Sequence, residues 1–167
     1  MKKKIVIFTL VLSMVASFAF AEGEAESKSL DIGARAGYSI SPDQFFLGAH
    51  MDLGKLVGPM RLVPNIEIGF GNDLTTMCFN GDLIYDFEDT PWGVGGELGI
   101  IHTSWDDGGL SDIPGYEDFD SSSTDIGLSA LGNYRLEMSN GKILLLEGKI
   151  GLANSPDFKL TVGYNFF

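Results

Sequence analysis

Asp157-Phe158-Lys159-Leu160-Thr161-Val162-Gly163-Tyr164-Asn165-Phe166-Phe167 is the stretch whose reading decides the fold. Its large apolar residues fall on every second position: Phe158, Leu160, Val162, Tyr164 and Phe166. Lys159, Thr161, Gly163 and Asn165 fall between them. A two-residue period places the two sets on opposite faces of a β-strand. A lone strand is unstable in water, so this one needs partners of the same period elsewhere in the chain.

Seven upstream runs have that period. The first, about Ser29–Ser39, sets Leu30, Ile32, Ala34, Ala36 and Tyr38 against Asp31, Gly33, Arg35 and Gly37. The second, about Gln44–Gly54, alternates Phe45, Leu47, Ala49 and Met51 with Phe46, Gly48, His50 and Asp52. Gly54 to Pro59 reads as a turn. The third runs over Met60–Gly71 and contains Pro64, which cannot donate a ladder hydrogen bond, so an irregularity is expected there. The others are expected near Leu74–Phe87, Trp92–Ser104, Thr124–Met138 and Lys142–Ala153. Asn140-Gly141 predicts a type I′ hairpin, whose two central residues need positive φ. Counting the closing strand, the chain offers eight strands of a length that suits membrane spanning, which takes roughly 9–11 tilted residues.

Two segments stand outside this pattern. Residues 1–21 combine Lys2-Lys3-Lys4, an apolar run and Ala19-Phe20-Ala21, the layout of a cleavable signal peptide. Residues 22–28 read as a flexible mature N-terminus, which leaves 29–167 as one barrel domain. Trp105–Ser123 has no period and carries Asp106, Asp107, Asp112, Glu117, Asp118 and Asp120, so it reads as one long solvated loop. Carboxylates can bind calcium, but this spacing matches no known calcium loop.

Without residues 1–21, which hold three lysines and no acid, the formal charge of −12 becomes −15. That balance argues against nucleic acid as a partner. Cys78 is the only cysteine, which rules out an internal disulfide and suits a small packing residue. No metal site, cofactor motif or catalytic motif is present. His50 lies near Asp52 in sequence but reads as part of a polar barrel interior rather than a catalytic group.

Alternation alone leaves open which face is inside. A soluble lipocalin-like barrel, binding a small apolar ligand in the periplasm or outside the cell, would put the apolar face inward. A membrane barrel would invert it. Side-chain size favours the inverted form. The polar face holds Gly33, Gly37, Gly48, Gly69, Gly95, Gly99, Gly127 and Gly163, and small residues suit a cramped lumen. It also carries both signs of charge. Arg35, Arg61, Arg135, Lys149 and Lys159 face Asp52, Glu67, Asp82, Glu97 and Glu147, so a structural charge network in the lumen is expected. The apolar face gathers aromatics near strand ends: Tyr38, Phe45, Phe70 and Phe158 at one rim, Phe87, Trp92, Tyr134, Tyr164 and Phe166 at the other.

With its signal, eight alternating strands and closing Lys159–Phe167, the chain resembles the small eight-stranded outer-membrane barrels, the group of the OmpA transmembrane domain and OmpX. The resemblance implies an all-β, antiparallel, up-and-down transmembrane barrel in the bacterial outer membrane. It further implies contact with outer-membrane lipid and insertion by the barrel assembly machinery, which reads the closing strand. A monomer with a structural or interaction role is expected, not an enzyme. A lumen this narrow is filled by side chains, and any water path through it would favour cations.

Overall fold

The computed structural model describes residues 30–105 and 122–166. The expected signal peptide, the mature N-terminus, Asp106 to Ser121 of the acidic segment, and Phe167 lie outside the described residues. Every regular element among the described residues is a strand: β1 Asp31–Ile40, β2 Gln44–Asp52, β3 Lys55–Val57, β4 Met60–Gly71, β5 Leu74–Asp86, β6 Trp92–Trp105, β7 Ser122–Glu137, β8 Ile143–Ala153 and β9 Phe158–Asn165.

All pairings are antiparallel, and the sheet closes. β1 pairs with both β2 and β9, and β2 pairs with β4. From β4 each strand pairs with the next in sequence until β9 returns to β1. Eight long strands therefore make the wall, and closure leaves no edge among them. The ends of β1 and β9 at Asp31 and Asn165 define a termini end. The turns after β1, β4 and β8 define the opposite, distal mouth.

Two local expectations are corrected, and a third holds on one side of its strand only. Gly54–Pro59 is not a plain turn, since it contains β3, which pairs with β4 through Lys55↔Arg61 and Val57↔Met60. Three residues are too few to show a period. Asn140-Gly141 is not type I′, because only Gly141 has positive φ, at 78°. Gly141 N–H donates to Met138 O at 2.9 Å and Met138 N–H to Lys142 O at 2.8 Å. That is a three-residue loop with a left-handed glycine closing it. The irregularity at Pro64 is one-sided. Leu53 N–H donates to Leu62 O at 3.0 Å, so alternate residues of β4, Pro64 among them, turn their backbone groups toward β2. The β2–β4 ladder ends at His50↔Asn65, while the β4–β5 ladder runs past Pro64 without a shift.

The wall is apolar outside and polar inside. Leu98, Ile126 and Leu152 expose 60–66% of their surface, whereas Arg61, Glu67, Asp82 and Lys149 expose 0–2%. This inverts a soluble barrel, so the lipocalin-like alternative with an apolar calyx is not the arrangement found. Aromatics gather at both rims. Phe45 pairs with Tyr38 on one side and Phe70 on the other. At the termini end Trp92 meets Tyr134 edge-on at 4.7 Å, and Tyr164 meets Phe166 at 5.5 Å.

Close approach explains why some inward positions are glycine. A Cβ on Gly33 would stand 2.5 Å from His50 Cε1 and 2.3 Å from Tyr164 O. A Cβ on Gly37 would stand 2.5 Å from Phe46 Cζ. The rings of His50 and Phe46 lie in the space those side chains would take.

Candidate functional site: the charged lumen

Alternation along each strand turns every second residue inward, and most of the charged side chains of the strands are among these. Strand stagger then decides which of them meet. The ten expected lumen charges form two clusters rather than one.

The central cluster joins Arg35 of β1, Glu67 of β4, Asp82 of β5, Glu97 of β6, Glu147 and Lys149 of β8, and Lys159 of β9. Arg35 pairs with Glu147, lies 3.2 Å from Glu67 Oε1 and 3.5 Å from Asp82 Oδ2. Lys149 Nζ donates to Asp82 Oδ2 at 2.8 Å and to Glu97 Oε2 at 2.6 Å. Lys159 pairs with Glu67 and lies 4.0 Å from Glu97 Oε2. Neutral groups complete the set. Asn65 Nδ2 donates to Asp82 Oδ2 at 3.1 Å, and Ser129 Oγ donates to Glu97 Oε1 at 3.3 Å.

The second cluster lies at the termini end and contains Asp52, Arg61 and Arg135. Arg61 Nη1 donates to Asp52 Oδ2 at 2.8 Å, and Arg135 Nη1 lies 3.5 Å from the same oxygen. Asp86 belongs here as well, held by both Nε and Nη2 of Arg61 at 3.0 and 3.1 Å. This two-point contact suits the fork of a guanidinium.

Between the clusters lies an apolar layer, set among the buried polar residues His50, Asn133 and Asn165. Val63, Ile84 and Leu131 touch one another at 1–5% exposure. Leu145 is buried as well. The signal for these residues is present in sequence as adjacent apolar pairs, Leu62-Val63, Leu83-Ile84 and Leu144-Leu145, where both faces of a strand are apolar. His50 is buried and its Nε2 lies 2.7 Å from Asn165 Oδ1, a different partner from its sequence neighbour Asp52. Cys78 is half-buried and lines a cavity at the distal mouth.

Buried charges of this kind must be paired, because desolvation costs several kcal/mol per ion. A closed wall with a paired polar interior and a bare apolar exterior satisfies both requirements only when the exterior meets lipid. Comparison with solved structures agrees on architecture. Neisserial surface protein A (NspA) is similar over 81% of this chain and 94% of its own, with 16% identity and a TM-score of 0.57. The fold is that of the small eight-stranded outer-membrane β-barrels. The Yersinia pestis outer membrane protein Ail, in a phospholipid bilayer nanodisc, matches over 83% of this chain and 100% of its own at 8% identity and a TM-score of 0.49. The N-terminal barrel of Pseudomonas aeruginosa OprF matches over 82% and 96% at 14% identity and 0.43. No protein-family model matches the chain, and no curated protein sequence matches it.

Proposed function

We propose that the chain is an integral β-barrel of the bacterial outer membrane, monomeric and non-enzymatic, with a structural or interaction role. The observation that carries this reading is the inverted wall: Leu98, Ile126 and Leu152 open to the outside, Asp82 and Lys149 sealed within. A soluble protein rarely exposes a continuous apolar belt of this extent. In this reading residues 1–21 are removed on export, the termini end faces the periplasm, and β9 is the strand that the assembly machinery reads. The ten lumen charges hold the barrel closed rather than act on a substrate.

The lumen is proposed to be sealed. Val63, Ile84, Leu131 and Leu145 share the section between the two charged clusters with His50, Asn133 and Asn165, and all seven side chains are packed there at 5% exposure or less, which leaves little room for a water path. Folding into bilayers, heat-modifiable migration on SDS gels and membrane fractionation test the placement. Retention in the membrane fraction, with a folded form that shifts only after boiling, is expected. A protein that stays soluble after lysis without detergent would overturn it.

A further inference from the structure

Every pairing of the wall except β1–β9 joins long strands that succeed each other along the chain, so a connection limits how far they slide. The seam between β1 and β9 has no connection, and its register sets the stagger of the whole closed barrel. Side chains must therefore select that register. The outer face offers little for the purpose. Ile32, Ala34, Ala36, Tyr38 and Ile40 on β1 and Phe158, Leu160, Val162 and Tyr164 on β9 are all apolar and outward. A slip of two residues would still turn apolar side chains out.

The inner face of the seam holds Gly33 and Gly37 on β1 and Gly163 on β9. Two rings of β2 cover it. Phe46 stands opposite Gly37, and His50 stands opposite Gly33. Each ring lies across its glycine, where a Cβ would come within 2.5 Å of Phe46 Cζ or of His50 Cε1. Both rings go on to meet β9, the strand beyond β1. His50 Nε2 lies 2.7 Å from Asn165 Oδ1, and the Phe46 centroid lies 4.7 Å from Lys159 Nζ. All four side chains are buried. Arg35 also crosses the seam, to Glu147, but it serves Glu67 and Asp82 as well, and its rotamer-rich stem can follow a shift.

We propose that Phe46 and His50 are register keys, which reach over the glycines of β1 and fix where β9 closes the barrel. With Gly163 opposite Gly33, His50 would face no acceptor, and Lys159 would stand opposite Gly37 and run into the Phe46 ring. With Gly163 opposite Gly37, Asn165 would leave His50 for the place opposite Arg35, and Thr161 would take the place of Lys159. The register found, Gly33↔Asn165 and Ser39↔Lys159, satisfies both rings. Closure register belongs to the folded wall, apart from any role of the inserted barrel.

Cysteine pairs on the outer face of the seam read the register, in a full chain carrying Cys78→Ser and folded into lipid vesicles. Ala36→Cys with Val162→Cys reports the register found, since these residues stand directly opposite. Ala36→Cys with Leu160→Cys or with Tyr164→Cys reports a slip of two residues, because diagonal neighbours lie beyond the reach of a disulfide. Diamide is the oxidant: two thiols become a disulfide, and their two hydrogens reduce the diamide to its hydrazine. In folded protein, recognised by its gel shift, only the opposite pair is expected to cross-link. Phe46→Ala with His50→Ala should raise the slipped yield several-fold at the expense of the opposite pair. His50→Gln, whose amide can still meet Asn165, should hold the register better than His50→Leu. Ile84→Ala, on a strand that pairs with neither β1 nor β9, should lower stability without any slip. A slipped yield in the double variant no higher than in the parent, or one as high in Ile84→Ala, would refute the keys. Should the double variant give no folded band, the yields of His50→Ala and Phe46→Leu decide by the same criterion.

Discussion

Lys149 of β8 reaches across the lumen to Asp82 of β5, with 2.8 Å between Nζ and Oδ2 and 67 residues between the two in sequence. The strands that carry them are not neighbours in the sheet, so this contact ties opposite walls together. Both side chains are at 0–1% exposure, which makes the pair hard to break and costly to leave half made.

Removing one partner strands the other. Lys149→Met is expected to lower stability by about 3–5 kcal/mol, the usual cost of an uncompensated buried charge. Lys149→Met with Asp82→Asn should recover much of that loss, because an amide at position 82 can still accept from Arg35 and Asn65. Urea unfolding of the three variants in lipid vesicles checks the coupling. Additive losses in the double variant would count against the cluster as a unit.

The glycines divide into two kinds. Gly33→Ala should cost about 1–3 kcal/mol, since its Cβ would collide with the His50 ring and with the Tyr164 carbonyl. Adding His50→Ala should relieve only part of it, because the carbonyl contact is backbone. Gly132→Ala meets nothing within 4 Å and should be neutral or stabilising by up to about 1 kcal/mol. Unfolding midpoints of these variants in vesicles decide the matter, and equal effects at positions 33 and 132 would contradict the packing described.

The β7–β8 hairpin depends on one backbone angle. Gly141 adopts φ 78°, and an alanine there should cost about 1–2 kcal/mol. Asn140→Ala should cost less, since it removes a single exposed bond from Lys142 N–H to Asn140 Oδ1 at 3.0 Å. The order of these two losses in chemical unfolding checks the loop geometry, and the reverse order would favour a different turn.

A sealed lumen predicts electrical silence. Planar bilayer recordings of the wild-type barrel should show no steady conductance. Replacing Ile84 and Leu131 by glycine should open a path past the apolar layer, with cations favoured by the surplus of inward carboxylates. Steady wild-type currents would show that the layer does not close the barrel.

The wall was readable in sequence because its period is a backbone property. Met60–Gly71 appears with the expected bounds, and Phe158 to Phe166 faces outward in the expected phase. The outward Leu160 and inward Lys159 show why: adjacent residues of a strand face opposite sides whatever their neighbours are. The interior was less readable. That Arg61 joins Asp52 and Asp86, while Arg35 joins Glu147 and Asp82, depends on height along the barrel, which strand stagger sets and periodicity does not contain. Val63 and Ile84 are signalled only by the apolar pairs Leu62-Val63 and Leu83-Ile84, a break in the alternation rather than part of it, and β3 is too short to show a period. The lumen chemistry is thus a product of register, whereas the fold is a product of alternation.

The most direct test of the inverted wall is Leu128→Arg, midway along β7 on the outer face. In a lipid bilayer this variant should lose about 2–4 kcal/mol of unfolding free energy, the cost of a cation on a lipid-facing site near the midplane. Wild-type stability and folding yield for Leu128→Arg in bilayers would contradict the account.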